Sequence, residues 1–230
     1  MYDRVPLAQD RIDSIKLLKR FLKDFGSITE IYSVQNEVGG LGPGTYSQSD
    51  MQNNGNGSPP ALWWKDIVDT IQNEKISNPT LSHLKICSPS PILLKRLVFD
   101  RNNLPQTNVD FFYETIDFGN AQCDFIDFHF NVYSITEYEA TLNFISPLVT
   151  KPMISTEWSA ANFMFQSSSL LAGAGFKVLC WTTGWQQGLT AYDLRSLYAT
   201  KTVASSSQNG ISSLINDLKI KITDPLSKVI

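Results

Sequence analysis

Short apolar strands that alternate with amphipathic helices predict an α/β protein built on a parallel sheet. The predicted sheet is of the (β/α)8 TIM-barrel type rather than doubly wound, because of where the polar residues fall. Glu37, Tyr133, Glu157 and Trp181 all stand at or just beyond the C-terminal ends of separate predicted strands. A barrel converges such ends on one site.

Taken in order, Ile12, Ile15, Leu18, Leu22 and Phe25 recur at helical spacing, which predicts a helix over 10–25 with Asp10 as its N-cap and Gly26 as its stop. A strand over 28–34 follows, rich in β-branched and aromatic residues, and runs straight into Gln35-Asn36-Glu37. Residues 38–60 are dense in Gly, Asn, Ser and Pro and read as a long mobile loop beside a site. Ser58-Pro59 then supplies the N-cap and first position of a helix over 61–73, with Trp63 and Trp64 packing against the sheet. The alternation continues with a strand over 83–88, a helix over 109–118, a strand over 125–133, a helix over 136–149, a strand over 153–156, a helix over 162–174 and a strand over 176–181. Between them, Ser90-Pro91 marks the start of a short helix over 92–99, and 102–107 reads as loop. A last helix over 211–218 precedes a tail that reads as a strand or a loose end.

Composition narrows the function classes. A net charge of -3 without a run of Lys and Arg gives no basic footprint for nucleic acid. Cys87, Cys123 and Cys180 are widely spaced without C-x-x-C and read as buried free thiols, and His83 and His129 form no H-E-x-x-H, so no metal is predicted. The glycines of the 38–60 loop lack both the G-x-x-x-x-G-K-[ST] and the G-x-G-x-x-G spacing and contain no Lys, so no nucleotide cofactor is predicted either. No stretch is apolar enough to span a bilayer and the N-terminus has no signal-peptide character, which predicts no membrane partner and leaves localisation open.

Two motifs resemble one family. Tyr32-Ser33-Val34-Gln35-Asn36-Glu37 resembles the fourth-strand Asn-Glu motif of glycoside hydrolase clan A, the retaining (β/α)8-barrel glycosidases, and Ile154-Ser155-Thr156-Glu157-Trp158-Ser159 resembles that clan's seventh-strand nucleophile motif. Asp127 to Tyr133 resembles the sixth strand and Trp181 the eighth-strand tryptophan. The resemblance implies retaining hydrolysis of an O-glycoside or polysaccharide by double displacement, with Glu37 as acid/base and Glu157 as nucleophile. It further implies that Asn36 meets the sugar 2-hydroxyl, Tyr133 orients Glu157, Trp181 stacks on the sugar, and His129 or Tyr133 faces the substrate from the sixth strand. The chemistry fits: one carboxyl must be protonated to assist the leaving oxygen while the other is ionised to attack the sugar.

Plainer explanations stand beside these. A single Asn-Glu pair is expected by chance in a chain of this size, a single glutamate is more often a surface group, and His129, Tyr133 and Trp181 each have a packing reading. Glu137 and Glu139 suit the positive end of a helix. Only five strands are predicted, matching the fourth to eighth of a barrel, so the chain reads as a single partial catalytic domain over 1–230, a fragment or eroded gene. Open sheet edges then predict self-association. The alternative to an enzyme is a carbohydrate-binding fragment that has lost turnover.

Overall fold

The computed structural model describes residues 8–40, 46–131, 134–159, 174 and 176–181. Two compact units result, one from 1–128 with 147–153 and the other from 129–146 with 154–230.

In the first unit, helix α1 spans Ala8–Phe25. It begins before Asp10, so Asp10 lies in the first turn, complementing the helix dipole rather than capping the helix as predicted. Leu18 and Leu22 are buried, while Ile12 and Phe25 at the two ends of the apolar stripe remain about half exposed, at 52% and 53%. Ion pairs Arg11–Asp66 and Lys19–Glu74 tie α1 to helix α2, Pro59–Ser77. Partly exposed pairs of this kind contribute only about 0–1 kcal/mol each; the burial of Leu18, Leu22, Trp64, Ile67 and Ile71 matters more.

Strand β1, Ile31–Ser33, is shorter than predicted because Gly26–Ile28 prolongs α1 as a 3-10 turn. The Thr29 hydroxyl donates to the Phe25 carbonyl at 2.9 Å and the Thr29 N–H to Gly26 at 3.3 Å, which closes that turn before extended backbone can begin. Helix α2 starts as its sequence dictates: Ser58 accepts the Ala61 N–H and proline occupies the first turn.

Strand β2, Lys85–Cys87, pairs parallel to β1 in the register Ile31↔Lys85 to Ser33↔Cys87. The ladder runs on past both strands. Val34 donates to the Cys87 carbonyl at 3.1 Å, Ser90 to Gln35 at 3.1 Å and Val38 to Ser90 at 2.9 Å. Helices α3, Leu94–Phe99, and α4, Gln106–Gln122, follow, so α4 claims part of the stretch predicted as loop and extends beyond the predicted helix at both ends. Strand β3, Ile126–Asp127, comes next on the far side of β2: Ser88 donates to the Phe125 carbonyl at 2.9 Å, and Ile126 in turn donates to Pro152 at 3.0 Å. Within this unit the extended segments therefore neighbour one another in chain order.

Close packing of α4 on these strands depends on Gly119. A Cβ there would lie 2.5 Å from Ile126 Cδ1 and 2.8 Å from Ser88 Cβ. Gly119→Ala is expected to destabilise the chain by about 1–3 kcal/mol despite alanine's better helix propensity; a lower urea midpoint checks it, and an unchanged midpoint would mean that α4 moves away freely.

In the second unit, β4, Phe130–Asn131, pairs parallel to β5, Met153–Ser159, in the register Phe130↔Trp158 and Asn131↔Ser159, and β6, Phe176–Trp181, also pairs with β5. The single strand predicted over 125–133 is thus divided at Phe128-His129. Helix α5, Ile135–Ile145, opens with a capping box in which Ser134 accepts the Glu137 N–H and Glu137 accepts the Ser134 N–H. This gives Glu137 a local structural role. Tyr138 stacks on Phe130 at 5.3 Å, holding α5 to the sheet. The helix predicted over 162–174 and everything predicted beyond 181 lie outside the described residues apart from residue 174.

Candidate functional site

Glu37 follows β1 by four residues, and its conformation is the least ordinary in the first unit. Its φ is +46°, alone among the described non-glycine residues in being positive. For a non-glycine residue that region carries a steric cost, which surrounding contacts must hold in place. Here the Glu37 N–H donates to Ser90 Oγ at 3.0 Å, and the flanking residues Gln35 and Val38 are both bonded to the Ser90 backbone. Ser90 was predicted only to start a helix. Its flanking prolines, Pro89 and Pro91, lack N–H groups, leaving the Ser90 N–H and hydroxyl to hold the Gln35–Val38 stretch.

Gln35 anchors the same stretch from below. Its buried Oε1 accepts from Tyr46 Oη at 2.6 Å and from Trp64 Nε1 at 2.7 Å, joining β1, the following loop and α2. Asn36 is exposed and Glu37 partly exposed, so both side chains reach toward solvent from a rigid base. Residues 46–58, predicted as part of a mobile loop, make defined contacts here, among them Gln48 Nε2 to Asn108 Oδ1 at 2.6 Å and Asn53 Nδ2 to Glu114 Oε1 at 2.9 Å.

In the second unit, Glu157 lies within β5, which extends to Ser159 and so passes the end predicted for it. His129 precedes Phe130 as Glu157 precedes Trp158, so the two are level across the parallel ladder. The buried imidazole has Nε2 3.0 Å from Thr156 Oγ1 and Nδ1 3.8 Å from Glu157 Oε2. The second distance is electrostatic proximity and too long for a hydrogen bond. With the proton on Nδ1, the Thr156 hydroxyl donates to Nε2, which fixes the plane of the ring beside the Glu157 carboxylate. Thr156 was missed from the sequence because a strand threonine carries no signal beyond β propensity.

Family models, curated proteins and solved structures offer no match to this chain. What the site can do chemically rests on its own geometry.

Of the remaining predicted residues, Trp181 ends β6, and Tyr133 lies outside the described residues. Cys87 and Cys123 are buried free thiols, as predicted. Burial, reinforced by the Asp124 carboxylate, pushes the Cys123 thiol up from 9.0 to about 12. Its nucleophilic thiolate is therefore suppressed, and Cys123 is expected to resist alkylation by iodoacetamide at pH 8 until the chain is unfolded. The same shift has a stability consequence. Because the folded thiol holds its proton more tightly than the unfolded one, stability falls as pH rises from 9.0 toward about 12. Mass spectrometry of the Cys123 peptide checks the first point; rapid native labelling would contradict it.

Proposed function

We propose that this chain is the catalytic part of a retaining glycoside hydrolase of clan A type, with a partial (β/α)8 barrel, Glu37 as acid/base and Glu157 as nucleophile. The observation that carries the reading is the environment of Glu157: a buried imidazole, bonded to the Thr156 hydroxyl and level with a partly exposed carboxylate 3.8 Å away. A surface glutamate needs no such support, whereas a nucleophile must stay ionised and fixed in direction. The left-handed backbone at Glu37 adds to it, since strain held by neighbours clusters at functional positions. In the first unit β1, β2 and β3 neighbour one another in chain order, as a barrel requires, while β5 lies between β3 and β4.

The proposed mechanism uses these residues in sequence. Ionised Glu157 attacks the anomeric carbon while Glu37 gives its proton to the departing oxygen, leaving a glycosyl ester on Glu157. Glu37, now ionised, takes a proton from water, whose oxygen attacks the same carbon and releases Glu157. In this reading Asn36, exposed beside Glu37, would meet the sugar 2-hydroxyl, and Trp181 would stack on the ring.

The test is the stereochemistry of the first product released from aryl glycosides of glucose, xylose, galactose, mannose and arabinose, followed by proton NMR. Retention is expected with at least one of them. Glu37→Gly should slow sugars with poor leaving groups far more than those with dinitrophenolate, and added azide should yield a glycosyl azide of retained configuration. Inversion, or equal loss for all leaving groups, contradicts the assignment. Absence of turnover with every glycoside would favour a binding role without catalysis.

A further inference from the structure

A second site lies wholly within the first unit. A cavity of about 710 Å³ sits between the loop 51–57, α2 and α4, within the size range of small-ligand sites. Its polar wall carries Asn54, Asn56, Glu114 and Asp117, and its apolar wall includes Leu62 and Phe118.

The loop is built to hold that shape. Gly55 and Gly57 adopt φ of +95° and +105°, open to glycine at little cost, and Asn53 Oδ1 accepts both of their N–H groups at 2.8 and 3.0 Å. Glu114 Oε1 accepts from Asn53 Nδ2 at 2.9 Å and from the Ser58 N–H at 2.8 Å, fastening the loop to α4. The second oxygen of the same carboxylate, Oε2, is sealed from solvent without a donor from the protein. Leaving a buried carboxylate oxygen undonated is costly, and a ligand hydroxyl that reached it would supply the missing bond.

We propose that this cavity binds a neutral oligosaccharide, apart from the Glu37 and Glu157 positions. Amides and carboxylates on one wall both donate to and accept from vicinal hydroxyls, while Leu62, 41% exposed, offers the apolar surface that a pyranose face covers. The carboxylates disfavour uronic acids, since the Lys65 ammonium in the lining already pairs with Asp69 at 2.5 Å. A single divalent cation fits less well: among the described residues Asp110, Glu114 and Asp117 do not converge three ligand atoms on one point, and Glu114 Oε1 is already taken by Asn53 and Ser58. The site stands on its own lining and does not require turnover elsewhere.

The experiment is calorimetric titration of the full chain carrying Glu157→Gln with cellotetraose, xylotetraose, laminaritetraose and mannotetraose, and with tetragalacturonate as the anionic control. At least one neutral tetrasaccharide is expected to bind, and the double variant Asn56→Ala/Asp117→Ala, both exposed positions that leave the core intact, should weaken that binding at least tenfold. Because Asn56 and Asp117 line only this cavity in the first unit, a loss confined to the double variant separates this site from the proposed catalytic one. Binding that the double variant leaves within twofold, tighter binding of tetragalacturonate, or no binding by any of the four neutral sugars would overturn the proposal.

Discussion

Glu157→Gln is expected to lower turnover on the order of ten-thousandfold while leaving the melting temperature nearly unchanged. Glutamine keeps the shape of the side chain and its place in β5, so the fold loses little; Glu157 is partly exposed and its neighbours Ser155 and Thr156 are bonded independently of its charge. What disappears is the ionised oxygen that attacks the anomeric carbon, and an amide cannot replace it. Glu157→Gly gives the sharper signature. Azide then takes the place of the missing carboxylate and attacks directly, so the glycosyl azide has inverted configuration, opposite to the product expected from the Glu37 variant. Activity within tenfold of the parent in Glu157→Gln would remove Glu157 from the mechanism.

The second large effect is on stability. Trp64 is fully buried at 0% exposure, its ring is 5.5 Å from both Phe111 and Phe118, and its N–H donates to Gln35 at 2.7 Å. Trp64→Ala therefore removes a large core side chain and one donor to a buried amide together, at a cost of about 3–5 kcal/mol. Denaturant unfolding measures it. Trp64→Phe separates the two contributions, since it keeps most of the packing and removes the N–H; its cost is expected to be about 1–3 kcal/mol. Because Gln35 directly precedes Asn36 and Glu37, Trp64→Phe should also disturb the proposed acid/base position. A Trp64→Ala cost below about 1 kcal/mol would mean that α2 is not part of the core that supports β1.

Much of the architecture could be read from the sequence because it follows from local rules. The apolar stripe of α1, the Ser58-Pro59 start of α2 and the alternation of strand and helix through β5 each depend on residues close together in the chain. Errors arose where distant contacts decided the outcome. Gln35-Asn36-Glu37 reads as the end of a strand, and nothing in it announces the positive φ at Glu37, whose N–H is held by Ser90 more than fifty positions away. The strand predicted through 125–133 is interrupted where His129 turns to Thr156, a contact invisible to periodicity. Gly119 looks like a mild defect in α4 until Ser88 and Ile126 fill the space beside it.

Of the candidate site, Glu37, Glu157 and His129 were found through strand-end placement and resemblance. Their supporting residues Ser90, Thr156, Gln35 and Tyr46 were not, because serine, threonine, glutamine and tyrosine acquire such roles only through the partner that folding brings to them.

The central claim is that Glu37 and Glu157 act on one glycosidic bond, and a crystal structure of the chain tests it without knowledge of the sugar. Double displacement with retention requires the two carboxyl groups to be about 5–5.5 Å apart across a common cleft. That separation is the predicted result. A separation of about 6.5 Å or more would contradict retention, and carboxylates facing away from each other would contradict the catalytic pairing altogether.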